Sequence, residues 1–258
     1  MGRVWRASHS ETNTPVAIKV VPLREDATEA HIFRFRAEIR AIASICHPGV
    51  IRIIDEGVLD DPSIMGDGNQ IPKGSPYIVM EWASDGHLGQ RIRYRDWDQT
   101  KNILLSLLDA LAAAHARGII HRDIKPQNIL FSNGCLRLAD FGGAFEAQAD
   151  QIDPTRTKMV GSPNYMAPEQ ILCRWRDLGP WTDLYAVGCL GWLLATGRPP
   201  FVRKTRKAVL RGHLLDRLPV FAPLFPVPPD FKSWCEKLLA KNIHSRFEFA
   251  ADATNQLL

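Results

Sequence analysis

The sequence lacks the paired cysteines that mark disulfide frameworks and structural zinc sites. Its five cysteines are scattered along 258 residues, odd in number, and include no CxxC pair. We therefore expect reduced thiols in a reducing compartment, which predicts a cytoplasmic location. The amino-terminal segment also lacks the apolar stretch of a signal peptide, and Arg6 stands where a myristoylation signal requires Ser or Thr.

The sequence also has little charge imbalance and no apolar run long enough to cross a membrane. Its formal net charge is +4, and we find no dense basic run, so we expect no nucleic-acid partner. The longest apolar stretch, residues 184–196, is too short to span a bilayer and contains two glycines. Hydrophobic residues make up 45% of the chain, which is sufficient for one large core or two smaller ones.

Apolar patterning in the first third of the chain predicts strands and one helix. Residues 15–21 are rich in β-branched side chains, and further strands are expected at 50–54 and 77–82. Apolar residues recur every three or four positions within 26–43, which predicts a helix. A stretch rich in Gly, Asp and Pro at 60–75 predicts a surface loop.

The remainder of the chain is predicted to be mainly helical. Asp96 can cap a helix that runs through Ala116, with leucines along one side. Short strand-like pieces follow around residues 119, 129 and 136. This change of character predicts two packed lobes, with a boundary at 83–86.

The strongest motif is His121-Arg-Asp-Ile-Lys-Pro-Gln-Asn128. The Asp123 carboxylate can accept the proton of an attacking hydroxyl, and the Asn128 amide oxygen can hold a metal ion. Lys125 adds a positive charge nearby. This combination suits phosphoryl transfer, which depends mostly on positioning and on neutralising charge.

Two further motifs supply groups of the same kind. Asp140, in Asp-Phe-Gly, offers a second metal carboxylate 17 residues after Asp123. Lys19, in Val-Ala-Ile-Lys, can pair with phosphate oxygens, and Glu38 on the predicted helix is the carboxylate expected to hold its amine. Each of these alone is also typical of an ordinary turn, edge strand or helix. Their shared order with the motif at 121–128 favours a catalytic set.

These motifs resemble those of the eukaryotic-type protein kinase family in its bacterial-like Ser/Thr form, and the resemblance covers nearly the whole chain. It implies an α+β, bilobal fold, with a small antiparallel sheet and one helix at 1–82 and a larger, mainly helical lobe at 83–258. The implied activity is signalling by Mg²⁺-dependent transfer of the γ-phosphoryl group of ATP to Ser or Thr of a protein substrate. ATP and Mg²⁺ are the implied cofactors.

The resemblance also implies a role for each matching residue. Asp123 resembles the catalytic base, Lys125 the lysine typical of Ser/Thr kinases, and Lys19 and Glu38 the ion pair between strand and helix. The residues similar to Mg²⁺ ligands are Asn128 and Asp140. The residues similar to nucleotide-binding positions are Gly2, Val4, Ala17, Lys19, Met80, Glu81, Ala83 and Leu130. The residues similar to structural positions are His121, Arg122, Phe141, Glu169, Asp183 and Arg246.

The start of the sequence departs from the family pattern. Gly2 matches the third glycine of the loop G-x-G-x-x-G-x-V and Val4 matches its valine, so the first strand and most of this loop are missing. Either the start of the sequence is trimmed or misassigned, or the protein lacks this loop. In the second case ATP would lose backbone contacts, so a pseudokinase or docking module with weak or no turnover is the alternative to an active enzyme. Such kinases often carry further domains, and we expect them in a longer native protein.

Substrate preference is indicated at two positions. Gln127 and His87 stand where kinases that prefer basic substrates often carry an acidic residue. The resemblance therefore implies no strong preference for basic substrates.

Regulation by phosphorylation is the first testable expectation. Thr155, Thr157 and Ser162 lie in the region that resembles an activation segment, and Arg122 resembles an arginine that binds a phosphate there. We expect autophosphorylation at Thr155 or Thr157, the alternative being that both are ordinary loop hydroxyls. Mass spectrometry after incubation with Mg-ATP should find phosphate on the 144–162 peptide. An unmodified peptide from an otherwise active protein would rule the expectation out.

Overall fold

The chain forms two compact units, which are described separately below. The structure is a computed structural model that describes residues 3–22, 36, 39–60, 71–91, 96–141, 159 and 161–258. One unit contains Met1–Cys46 and Ile51–Ser84, and the other contains His47–Val50 and Asp85–Leu258. The division thus falls after Ser84, whereas the predicted lobes divide after residue 82. Predicted site residues outside the described part are Gly2, Glu38, Thr155 and Thr157.

The first unit is built on a four-stranded antiparallel sheet in the order β1-β2-β4-β3. Its strands are β1 (Arg3–Ser8), β2 (Pro15–Val20), β3 (Ile53–Val58) and β4 (Pro76–Glu81). The antiparallel sheet followed by helices confirms the predicted α+β class. The strand predicted at 50–54 instead begins at Ile53, where the register with β4 shifts. Val50 forms only an isolated bridge with Leu138.

The register of this sheet separates two faces. Ile18 is the partner of Trp5 and Val20 is the partner of Tyr77, and these side chains pack around the buried Leu59. Since neighbouring residues of a strand point to opposite faces, the odd-numbered residues of β2 lie on the other face. That second face carries Ala17 and Lys19, together with their partners Val4 and Met80, all predicted to contact a nucleotide.

The second unit is mainly helical, with one small hairpin. Its helices are α1 (Trp97–His115), α2 (Pro168–Ile171), α3 (Pro180–Thr196), α4 (Arg206–Leu215), α5 (Phe231–Leu238) and α6 (Ala250–Leu257). The hairpin strands are β5 (Ile129–Ser132) and β6 (Cys135–Leu138). Single turns of 3₁₀ helix occur at Leu88–Gln90, Pro126–Asn128, Pro163–Tyr165, Trp175–Asp177 and Ile243–Ser245.

Helix α1 forms where the sequence predicts a helix. The Asp96 side chain accepts a hydrogen bond from the backbone N–H of Gln99 at 2.8 Å, which satisfies one of the free donors of the first turn. Leucines on one side of α1 are fully buried, and α1 contacts α3 and α6. After α1 the chain turns at Gly118 in the left-handed region, and Ile119 lies in no strand, contrary to the prediction.

Helix α3 is the centre of the second unit. It is buried on all sides over most of its length and packs against α1 and α5. Glycine is required at position 188, because a Cβ there would lie only 2.7 Å from the Cβ of Leu238 on α5. Among the described residues, no helix is both long enough and apolar enough to cross a membrane.

A buried histidine links α4 to α3. His213 is fully buried, and its Nδ1 lies 2.9 Å from the hydroxyl of Tyr185. Its ring also packs edge-on against Phe201, at 4.9 Å between centroids. Burial, together with the positive charge of Lys241, lowers the pKa of His213 to about 4. The folded protein therefore holds this histidine in its neutral form at neutral pH.

The histidine makes stability depend on pH. The folded pKa of about 4 lies below the ordinary value of 6.5, so between these pH values the unfolded chain binds more protons. The contribution of His213 is therefore complete above pH 6.5 and is lost as the pH falls towards 4, by about 3 kcal/mol. We expect His213→Gln to flatten the fall in the free energy of unfolding between pH 7 and pH 4.5, measured by urea denaturation. His244→Gln, at an exposed position of the same unit, is the control, and an equal pH slope in both variants would contradict the assignment.

Candidate active site

A buried carboxylate fixes the loop at 121–128. Asp183, in the first turn of α3, accepts hydrogen bonds from the backbone N–H of His121 at 2.9 Å and of Arg122 at 2.7 Å. It also pairs with Nε2 of His115 at 2.8 Å. Burial alone would raise the pKa of Asp183, but these contacts, that of His115 foremost, lower it below its usual value. Asp183 therefore stays ionised, and its carboxylate fixes the backbone of the loop at His121 and Arg122.

The His121 side chain joins this loop to the segment after β6. Its Nε2 lies 3.0 Å from the carbonyl oxygen of Ala139, which assigns the ring proton to Nε2. The Nδ1 atom then accepts from the backbone N–H of Asp123 at 3.3 Å. The ring packs against Phe141 at 4.5 Å between centroids. Since His121 and Phe141 are both buried, they form a fixed support beneath the loop.

Four of the predicted site residues meet at the Asp123 carboxylate. Its Oδ2 accepts from Nζ of Lys125 at 2.6 Å, and its Oδ1 accepts from the hydroxyl of Ser162 at 2.9 Å. Nδ2 of Asn128 donates to the carbonyl oxygen of Asp123 at 2.8 Å and lies 3.3 Å from Oδ2. The side chains of Asp123 and Lys125 are 14% and 15% exposed, so the carboxylate is oriented but still accessible.

The backbone places Asp140 close in the fold to Asn128. The carbonyl oxygen of Asn128 accepts from the backbone N–H of Ala139 at 2.9 Å, and Asp140 follows directly. Asp140 has a φ of +62°, a left-handed conformation that is uncommon for a residue other than glycine. Because Nδ2 of Asn128 is used by Asp123, the amide oxygen is the atom that can meet a cation. An amide oxygen and a carboxylate are ligands of the type that Mg²⁺ prefers, so the residues fit this ion.

The segment that carries Ser162 is fastened to the same loop. Gly161 has a φ of +118°, and a Cβ there would lie 3.0 Å from the carbonyl oxygen of Arg122. Nε2 of Gln170 donates to that carbonyl at 2.8 Å, while Oε1 of Gln170 accepts from the backbone N–H of Ala167 at 3.1 Å. These contacts hold the Ser162 hydroxyl in place against Asp123.

A buried ion pair holds helix α2, which follows the segment that carries Ser162. Arg246 donates from both terminal nitrogens to Glu169, at 2.8 Å and 2.9 Å. The hydroxyl of Thr182 adds a third hydrogen bond to Glu169 at 2.9 Å, and the guanidinium lies over the ring of Tyr185. The side chains of Arg246 and Glu169 are 0% and 3% exposed. The pair therefore connects α2 to α3 and to the segment before α6.

Four of the residues predicted to bind a nucleotide, Val4, Ala17, Lys19 and Met80, lie on one face of the sheet in the first unit. Lys19 is the cross-strand partner of Val4 and of Ile78, and Ala17 is the partner of Met80. Directly opposed residues share a face, as do residues two apart along a strand, so these side chains line one surface. Glu81 ends β4, and its carboxylate accepts from the backbone N–H of Arg52 at 3.0 Å.

Ala83 and Leu130, the other described residues predicted to contact a nucleotide, belong to different units. Ala83 follows β4 in the first unit and is half-buried. Leu130 lies on β5 in the second unit, where it is half-buried and forms an isolated bridge with His87.

Sequence reasoning missed three polar residues that support the site. His115 binds Asp183, Gln170 binds the carbonyl oxygen of Arg122, and Thr182 binds Glu169. A histidine in the last turn of a long helix, shortly before the motif at 121–128, is a signal that could have identified His115. Nothing in the local sequence distinguishes Gln170 or Thr182, because the partners that tie them to the site, Arg122 and Glu169, lie 48 and 13 residues away along the chain.

Known proteins to which this chain is similar include serine/threonine-protein kinases. A sequence model of the protein kinase domain matches residues 1–256. The chain is 33% identical over 269 residues to the probable serine/threonine-protein kinase PknB of Bifidobacterium longum, covering 100% of this chain and 37% of that protein. It is 33% identical over 253 residues to serine/threonine-protein kinase PknA of Mycobacterium tuberculosis, covering 96% of this chain and 55% of that protein.

A third relative, serine/threonine-protein kinase PknL of Mycobacterium bovis, is 32% identical over 249 residues. That alignment covers 95% of this chain and 58% of the relative. The chain therefore spans only between 37% and 58% of the length of these curated relatives.

Breaking the buried Arg246–Glu169 pair should destabilise the fold strongly. Arg246→Ala leaves the Glu169 carboxylate buried without its partner, which should lower the free energy of unfolding by about 3–5 kcal/mol. Arg203→Ala is the matched control, because Arg203 pairs with Asp216 at 3.4 Å with both side chains exposed. We expect the control to cost about 0–1 kcal/mol. Equal losses in urea denaturation would show that the buried pair has no special role.

Proposed function

The chain belongs to the protein kinase family, as a catalytic domain of the bacterial Ser/Thr type. From this premise we propose that it transfers the γ-phosphoryl group of ATP to Ser or Thr hydroxyls of proteins. The observation that carries the proposal is the Asp123 carboxylate, held on one side by Lys125 and on the other by Ser162. A carboxylate fixed in this way is suited to receive the proton of an incoming hydroxyl.

The proposed reaction assigns a task to each residue of the cluster. The substrate hydroxyl oxygen attacks the γ-phosphorus, the bond from that phosphorus to the bridging oxygen breaks, and ADP leaves. The hydroxyl proton passes to Asp123. Lys125 stabilises negative charge on the transferring phosphoryl group, and Ser162 keeps the carboxylate in one orientation.

Asn128 and Asp140 are the residues that would hold Mg²⁺. The ion, when bound, would neutralise phosphate charge that the protein's own side chains leave unbalanced. The backbone hydrogen bond between Asn128 and Ala139 keeps the two ligand-bearing segments together, which supports this assignment.

In the proposal, the first unit supplies the nucleotide contacts. Lys19 would bind phosphate oxygens, while Val4, Ala17 and Met80 would contact the adenine. The shared face that the strand register gives to these side chains supports the assignment. The remaining proposed nucleotide contacts are Gly2, Glu81, Ala83 and Leu130, with Glu38 holding the amine of Lys19.

Control by phosphorylation is also part of the proposal. Thr155 and Thr157 are the proposed acceptors, with Arg122 as the residue that would bind the phosphate. Ser162 is a poor acceptor, because its hydroxyl is hydrogen-bonded to Asp123 and a phosphate there would face a carboxylate. A cytoplasmic location, supported by the five free cysteines, and a signalling role are further elements of the proposal.

Removing the proposed base is the direct test of activity. Asp123→Asn keeps the shape of the side chain but cannot accept the proton, so the phosphoryl-transfer rate should fall by about 10²- to 10⁴-fold. The rate can be measured with radiolabelled ATP and Mg²⁺ on a generic protein substrate. Asp98→Asn, the same change at an exposed position of α1, should leave the rate unchanged.

The outcome separates an enzyme from a binding module. If the unaltered chain gives no more transfer than Asp123→Asn, the proposed activity fails for this chain and a docking role is favoured. If Asp98→Asn loses as much as Asp123→Asn, the effect does not report the base.

A further inference from the structure

Positive charge is concentrated on and around α4, which has no part in the proposed reaction. Residues 198–217 contain seven basic residues and one acidic residue, so this stretch carries a formal charge of +6 against +4 for the whole chain. Five of the nine residues at 203–211 are basic, which corrects the expectation that the chain has no dense basic run. The seven are all exposed: Arg198, Arg203, Lys204, Arg206, Lys207, Arg211 and Arg217. We call them the basic surface.

Most of this charge is not balanced by ion pairs among the residues that the structure describes. Arg203 pairs with Asp216 at 3.4 Å, and Arg206 contacts the sulfur of Met159 at 3.8 Å. Within the described residues, the other members of the basic surface form no ion pair. Like charges so close together repel one another, and an acidic partner would relieve that repulsion.

An apolar groove adjoins the basic surface. It has a volume of about 450 Å³, and Arg198 and Arg203 are among its lining residues. Its apolar lining includes Val202, Val220 and Leu224, which are 53%, 87% and 74% exposed. Exposed apolar side chains gathered in one groove mark a surface for contact with another molecule.

We propose that the basic surface and this groove bind an acidic protein segment that also carries apolar side chains. Carboxylates would pair with the basic surface, and the apolar side chains would fill the groove. As a docking site for substrates the proposal rests on the proposed kinase function. Helix α4 supports that use, because it contacts the Pro163–Tyr165 turn that directly follows Ser162.

The chemistry of the surface favours protein over single-stranded nucleic acid. Recognition of unpaired bases relies on exposed aromatic rings. The only aromatic side chains within 198–217 are Phe201 and His213, and both are fully buried. The groove is lined mainly by proline and aliphatic side chains, and Trp192, its one aromatic lining residue in the described part of the chain, is only 2% exposed. With arginines beside it, the groove suits Leu, Ile or Val next to Glu or Asp.

Binding can be measured without catalysis. The probe is a fluorescein-labelled peptide of Glu and Leu without hydroxyl residues, titrated with the full chain in the absence of ATP. We expect binding that weakens about tenfold when ionic strength rises from about 0.05 M to about 0.3 M. Replacing every Leu by Gly should weaken binding by a further factor of about ten or more, because the groove is then left unfilled.

Matched charge reversals locate the site. Lys204→Glu with Lys207→Glu should weaken binding about tenfold or more, because both lysines belong to the basic surface. Arg117→Glu with Lys232→Glu makes the same change in net charge at exposed positions of the same unit, and should leave affinity within about twofold. An equal loss in both pairs would show that only net charge matters and would overturn the proposal.

Other occupants give distinct results. Tighter binding of a uridine oligonucleotide or of phosphatidylserine vesicles than of the peptide would overturn the proposal. So would self-association of the unaltered chain in sedimentation that the lysine reversals abolish. Peptide binding that persists in a chain without phosphoryl transfer would sink the proposed function but retain the docking site. Phosphoryl transfer by a chain that does not bind the peptide would overturn the docking site but retain the proposed function.

Discussion

The architecture of the candidate site depends on one buried carboxylate. Asp183 accepts two backbone N–H groups of the loop at 121–128 and one ring N–H of His115. Without that acceptor the two backbone donors would be left without a partner at a largely buried site, which is costly. The fold can therefore keep Arg122 in its uncommon left-handed conformation and present Asp123 to Lys125 and Ser162. Helix α3, which is buried over most of its length, supplies this rigidity.

Local chemistry made much of the fold predictable. Asp96 and the spaced leucines after it identified α1, and the β-branched residues at 15–20 identified β2. The motif at 121–128 identified the family because its polar residues stand at fixed offsets. The start of β3 was not predictable, since the register shift near Ile53 depends on pairing with a strand further along the chain.

Contacts between segments that are far apart along the chain could not be predicted from the sequence. Ser162 was expected only as a phosphate acceptor, but its hydroxyl meets a carboxylate that lies 39 residues earlier. The basic surface has no motif of its own in the sequence, and the common exposure of its seven members is visible only once α4 and its flanking segments are folded. Gln170 and Thr182 gained meaning only from partners elsewhere in the second unit.

The hydrogen bonds that Asp183 accepts from the loop affect how quickly two backbone amides exchange with water. The amides of His121 and Arg122 belong to no helix or strand, and such amides ordinarily exchange with water quickly. Here both protons are held by a side chain of α3, so they leave only when that helix end separates from the loop. The protection factors of these two amides would therefore report directly how often the site opens. Their position outside helices and strands would otherwise predict little protection.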